Sequence, residues 1–150
     1  MALAYDSPVA ELMIRKVGPA DAAFVARLVT ELGYPATADE TRGRIERLDR
    51  DGQDLFVAEL EGELAGFAAT QIYPVLVQDA PVCRLAALVV AERFRRRGIG
   101  RALILAVEQE GRRSGCDRVV LESALRRDEA HGFYRSLEYE GTANSFQKRL

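Results

Sequence analysis

Apolar positions along the chain follow two rhythms, alternation by two and spacing by three and four, and each change of rhythm marks an element. Leu12 to Val17 reads as a first strand. Gly18-Pro19 then opens a helix on which Phe24, Val25, Leu28, Val29 and Leu32 share a face, and Gly33-Tyr34-Pro35 stops it. Thr37-Ala38-Asp39-Glu40 is a capping box for a second helix running to about Arg50, with a thin apolar face of Ile45 and Leu48. Leu55 to Leu60 and Leu64 to Tyr73 form a hairpin around Gly62, ended by Pro74, and Val75 to Ala80 is a loop. Val82 to Val90 is a strand and Gly98 to Ser114 a helix closed by Gly115. Arg118 to Ser123 is a further strand. Asp128 to Leu137 is a helix with Ala130, Phe133 and Leu137 on one face, and Tyr139 to Thr142 and Ser145 to Leu150 are short final strands. The predicted order is β-α-α-β-β-β-α-β-α-β-β.

Between the strand ending at Val90 and the helix beginning at Gly98 lies Arg95-Arg96-Arg97-Gly98-Ile99-Gly100-Arg101. A strand that leads through a glycine-bearing loop into a helix start presents free backbone N–H groups and the positive end of a helix dipole. The five arginines from Arg93 to Arg101 suit phosphate groups. This combination points to a diphosphate-bearing ligand. A dinucleotide fingerprint fails, because Leu103 stands where it needs a third small residue and seven residues separate Val90 from Gly98. A P-loop fails as well, because no lysine occurs between Lys16 and Lys148.

Leu88 to Leu103, with Arg-x-x-Gly-x-Gly after Leu-x-Val, resembles the acetyl-coenzyme A signature of the GNAT N-acetyltransferases. It departs from that pattern at Glu92, where proline is usual, and at Arg96, where glycine is common. Ala130-His131-Gly132-Phe133-Tyr134-Arg135-Ser136-Leu137-Glu138-Tyr139 is similar to the family's Ala-x-x-Phe-Tyr-x-x-Leu-Gly-Phe segment, with Glu138 in place of a glycine. Arg127 stands where the family often has an asparagine. The resemblance implies a single domain over residues 1–150, a mostly antiparallel mixed sheet flanked by helices, in the order read above.

It also implies a division of labour. Backbone groups of Leu88, Val89 and Val90 hold the thioester and the pantetheine amides, and Arg95, Arg96, Arg97, Gly98, Ile99, Gly100 and Arg101 meet the pyrophosphate. Ala130, Phe133 and Tyr134 complete the cofactor site, and the Tyr134 hydroxyl is the candidate acid for the departing thiolate. Glu122 is the candidate base, ahead of His131, the only histidine. Tyr34 and Tyr73 stand at element ends and are candidates for the acceptor site.

Composition narrows the remaining choices. The chain has 150 residues, 48% hydrophobic and 29% charged, as in ordinary globular domains. A net charge of −2 argues against nucleic-acid or membrane-surface partners. Cys83 and Cys116 lack metal-ligand spacing, so no metal is expected and both are read as thiols in a reducing compartment. The N-terminal residues show no basic and apolar leader pattern, so the expectation is a cytoplasmic protein. The expected activity is transfer of an acetyl group from acetyl-coenzyme A to a primary amine, that of a small molecule ahead of a protein N-terminus. A catalytically silent acyl-coenzyme A sensor is the alternative. Many members of the family are dimers, and the terminal strands offer an edge for a homodimer.

Overall fold

The computed structural model describes residues 11–150. Its elements are β1 (Leu12–Lys16), α1 (Ala22–Glu31), α2 (Ala38–Arg50), β2 (Leu55–Leu60) and β3 (Glu63–Tyr73), then β4 (Val82–Val90), α3 (Ile99–Arg113), β5 (Val119–Leu121) and α4 (Asp128–Ser136). Single 3-10 turns, Pro19–Asp21 and Glu92–Phe94, lead into α1 and toward α3. One sheet holds the strands in the order β1-β2-β3-β4-β5. The first four pair antiparallel, as hairpins do, and β5 lies parallel to β4 after the α3 crossover.

Strand alternation divides the apolar side chains between two layers. On one face, Phe56, Ala58, Cys83 and Leu85 pack beneath Leu103, Ile104 and Val107 of α3, and α4 adds Phe133, Tyr134 and Leu137. On the other, Val57, Phe67 and Val89 meet Phe24, Val25 and Leu28 of α1. Each large apolar side chain so buried contributes about 1.5–3 kcal/mol. The capping box of α2 forms as its sequence predicts: Glu40 N–H donates to Thr37 Oγ1 (3.2 Å) and Thr37 N–H to Glu40 Oε2 (2.9 Å).

The two final strands do not form. Residues 139–150 adopt neither helix nor strand, and from Glu140 onward every side chain is exposed. A strand needs a partner edge and a buried face, and Phe146 and Leu150 are solvent-exposed with no layer to bury them.

A polar cluster that local patterning does not reveal ties β1 to β2 and α1. Arg15 donates to both Asp21 oxygens (2.8 and 2.9 Å) and to Glu59 Oε1 (2.7 Å from Nη2), and Gly18 N–H donates to Asp21 Oδ2 (2.8 Å). The Arg15 guanidinium holds the Asp21 carboxyl below its ordinary range, against the opposing effect of burial. Because the folded value is the lower one, this stabilisation is present above the unfolded pKa and lost as pH falls through the folded value. Asp21→Asn is expected to destabilise by about 2–3 kcal/mol at pH 7. In urea titrations the gap from the parent protein should narrow below about pH 4; a gap constant with pH would refute the account.

Candidate active site

The β4–β5 pairing is short. Cys83, Arg84 and Leu85 pair with Val119, Val120 and Leu121, after which β4 continues to Val90 without a partner on that side. Just past the last pair, Ala86 is a bulge: Ala69 pairs with Ala87 and Thr70 with Leu85, leaving Ala86 unmatched. The two strands therefore part, and an opening forms between them.

Main-chain geometry decides what faces this opening. Ala91 N–H donates to Ala65 O of β3 (2.8 Å). Antiparallel pairs alternate, so Val89 and Ala87 share the hydrogen-bonded pairing with β3, whereas the N–H and C=O of Leu88 and Val90 turn outward. Val90 O accordingly accepts from Arg95 Nε at 3.3 Å. Of the three backbone positions implied by the sequence, Leu88 and Val90 face the opening, and Val89 is engaged with Phe67 and buried against α1. On the far wall, Ser123 Oγ lies just beyond β5, buried and without a hydrogen-bond partner among the described residues.

The loop at the head of α3 is turned by two left-handed residues, Arg96 (φ 62°) and Gly98 (φ 78°). Gly98 is the N-cap of α3, and a Cβ there would meet nothing within 4 Å, so backbone conformation and not crowding favours glycine. Gly100 is different. A Cβ at that position would lie 3.2 Å from Phe133 Cζ, so its lack of a side chain lets α4 close on α3. Arg95, Arg96, Arg97 and Arg101 are exposed around this helix start. Arg93 is held by Glu63 and lies over the Phe94 ring at 4.5 Å. The non-glycine residues with positive φ include both positions where this chain departs from the glycine of the resembling pattern, Arg96 and Glu138. Left-handed backbone costs a residue with a Cβ about 1–2 kcal/mol.

Tyr134 stands on the α3 side of the opening, its ring 5.4 Å from that of Phe133 and 6.1 Å from that of Tyr139. Burial pushes its hydroxyl above the ordinary tyrosine range, with the Arg127 charge acting weakly the other way, so it carries its proton at neutral pH. Ala130 is half-buried on the same helix. Tyr139, the last residue of the Ala130–Tyr139 segment, to which the sequence assigned no role of its own, locks α4 in place by donating to Glu108 Oε1 of α3 (3.1 Å). Its aromatic character just after the helix was the available signal.

Glu122 follows the last residue of β5 and, by alternation with Leu121, lies on the α1 side of the sheet, across the opening from Tyr134. Its Oε1 is 3.4 Å from Arg84 Nη2. Tyr34 and Tyr73 are not brought together. Tyr34 follows α1, whose last turn shares a groove with Leu64 and Ala91, whereas Tyr73 ends β3, roughly 30 Å of strand away from Leu64. Among the described residues no group of three or more His, Cys, Asp or Glu could hold a metal ion.

The model of the acetyltransferase (GNAT) family matches residues 24–139, which include the strand, the glycine loop, α3 and α4. The chain belongs to the GNAT family. An aminoglycoside N(6')-acetyltransferase type 1 of Stenotrophomonas maltophilia is 31% identical over 134 residues, 86% of each chain. Among solved structures, an aminoglycoside N-acetyltransferase in complex with CoA superposes with a TM-score of 0.84 at 23% identity, over 96% of this chain and 97% of that one. A putative acetyltransferase from Agrobacterium tumefaciens gives a TM-score of 0.84 at 24% identity, over 92% and 99%. These likenesses show that the GNAT fold runs through nearly the whole chain, and that its mixed sheet and flanking helices are those of the family.

Proposed function

We propose that this GNAT domain moves the acetyl group of acetyl-coenzyme A to a primary amine of a small molecule by direct attack on the thioester. The observation that carries the reading is the opening between β4 and β5. It has outward main-chain groups on one wall, an orphaned hydroxyl on the other and a glycine-turned helix start at its head. The residues fit an extended amide-bearing arm with a pyrophosphate at its end. Leu88 and Val90 offer outward backbone donors and acceptors, Ser123 an unpaired hydroxyl, and Gly98 to Arg101 free N–H groups flanked by arginine side chains. Acetyl-coenzyme A supplies an activated acyl group.

The chain's own residues then act in three ways. Leu88 N–H donates to the thioester oxygen as negative charge gathers there. Tyr134 holds a proton for the departing sulfur, on the α3 side. Glu122, on the α1 side, accepts a proton from the incoming amine, directly or through water. In this reading acid and base lie on opposite faces of the opening. The proposal extends to a homodimer, for which the exposed Phe146 and Leu150 supply apolar surface, and to a cytoplasmic setting. No helix among the described residues is long and apolar enough to cross a membrane.

Coenzyme A is expected to raise the melting temperature more than NAD or ATP at equal concentration, because a ligand bound only by the native state stabilises it by RT ln(1 + [L]/Kd). Acetyl-coenzyme A with an amine panel is expected to release free thiol. A larger shift with NAD, or no thiol release with any amine, would overturn the proposal.

A further inference from the structure

The face of the sheet that α1 covers over Val57, Phe67, Ala87 and Val89 is open farther along β3, β4 and β5. There Gln71 and Arg84 form a rung across β3 and β4, extended diagonally by Glu122, one residue past β5, since the register partner of Arg84 is Val120. Arg84 Nη1 donates to Gln71 Oε1 (3.3 Å), its direct partner across the β3–β4 ladder, and Arg84 Nη2 faces Glu122 Oε1 (3.4 Å). The Arg84 and Glu122 side chains are 37% and 61% exposed. An ion pair so accessible adds little to stability, and an arginine in the middle of Val82–Val90 interrupts an otherwise apolar strand. The rung borders the opening, since Glu122 is one residue past the final β4–β5 pair and beside the Ala86 bulge. Around it Ala69 and Ala86 are small and accessible, leaving a shallow floor in front of the two charges.

We infer that this rung is the acceptor subsite and that the acceptor is a zwitterion, a small molecule whose primary amine lies one or two carbons from a carboxylate, as in an α-amino acid. The inference rests on the acetyl-transfer reading. A carboxylate and a guanidinium side by side present opposite charges at the spacing of an amino acid's own ammonium and carboxylate. The acceptor's ammonium meets Glu122, and its carboxylate meets Arg84, whose fork is oriented by Gln71 and leaves N–H groups for bidentate contact. A polycation without a carboxylate is opposed there by Arg84. In the reaction the amine nitrogen bonds to the acyl carbon as the carbon–sulfur bond breaks. One ammonium proton passes to Glu122 and on to solvent, and Tyr134 gives its proton to the thiolate. The second proton shed by the nitrogen returns to Tyr134 through water, leaving the amide, the free thiol and one released proton.

The test uses the full chain with two readouts. Thiol release is measured with acetyl-coenzyme A and the twenty amino acids, the same set as carboxamides, spermidine and kanamycin. Binding of the same compounds is measured by calorimetry, with and without coenzyme A. Free carboxylates are expected to exceed their carboxamides at least about 10-fold in kcat/KM and in affinity. Arg84→Gln is expected to raise KM and Kd for the best carboxylate about 10–100-fold and to erase most of its advantage over the carboxamide, with Arg84→Lys recovering part of the loss. Carboxamides, spermidine or kanamycin used or bound as well as amino acids, no amino acid bound at all, or Arg84→Gln without effect would each overturn the inference. Amino-acid binding that depends on Arg84, in a protein that binds no coenzyme A, would uphold the subsite and sink the acetyl-transfer reading instead.

Discussion

Tyr134→Phe is expected to lower turnover by about 10²–10⁴-fold, the usual worth of a positioned general acid. The substitution removes only the hydroxyl. Its ring still packs against Phe133 and Tyr139, and the helix stays fixed by the separate bond from Tyr139 to Glu108. Affinity for acetyl-coenzyme A should change little, because the lost interaction matters in the transition state. Stopped assays of thiol release, paired with calorimetry of coenzyme A binding, separate the two effects. Turnover equal to that of the parent protein would remove Tyr134 from proton transfer and leave that task to water.

Gly98→Asp is expected to weaken coenzyme A binding by about 10²–10³-fold. A charge placed roughly 4 Å from a phosphate, at an effective dielectric near 20, opposes it by about 4 kcal/mol before salt screening reduces the effect. The fold should survive. Open space surrounds the would-be Cβ, and aspartate tolerates left-handed backbone better than most residues. An acidic group beside the positive end of α3 offsets part of the left-handed backbone cost of about 1–2 kcal/mol. Gly98→Asn, of the same shape without the charge, should keep most of the affinity. Aspartate and asparagine carry the same left-handed backbone cost at this position, so a difference in affinity between the two variants reports the charge and not the fold. Calorimetry with coenzyme A, alongside circular dichroism, gives both readings; a folded Asp variant with parent affinity would refute an anion site at this helix start.

The parts of this protein legible in its sequence are those fixed by neighbours along the chain. The hairpin at Gly62, the Thr37–Glu40 capping box and the strand, loop and helix from Val82 to Arg113 each depend on contacts a few residues apart. Arg96 and Glu138 also announced themselves, since both stand where glycine would be expected and both prove to be left-handed. What stayed hidden depends on distance. Arg15 finds Glu59 across 44 positions, and Glu108 waits 31 residues for Tyr139. The end of the β4–β5 ladder, which creates the opening, leaves no mark in either strand alone. The terminal strands were over-read because scattered aromatic and aliphatic residues suggest a strand wherever an edge exists to receive it, and none of the described edges does.

Ala86 contributes no side-chain chemistry, yet the strand bends at it. A pleated strand is a two-letter code in which odd and even positions exchange faces and main-chain directions together. The unmatched residue stands outside that code, between Leu85 and Ala87. Deleting it would join Leu85 directly to Ala87 in unbroken alternation, leaving Val89 toward α1 and Leu88 and Val90 outward, and would remove only the local kink where β4 turns away from β5. The extra residue is thus a spacer for the opening and not the source of its main-chain pattern, and a chain lacking Ala86 should keep both packed layers while the gap between β4 and β5 narrows.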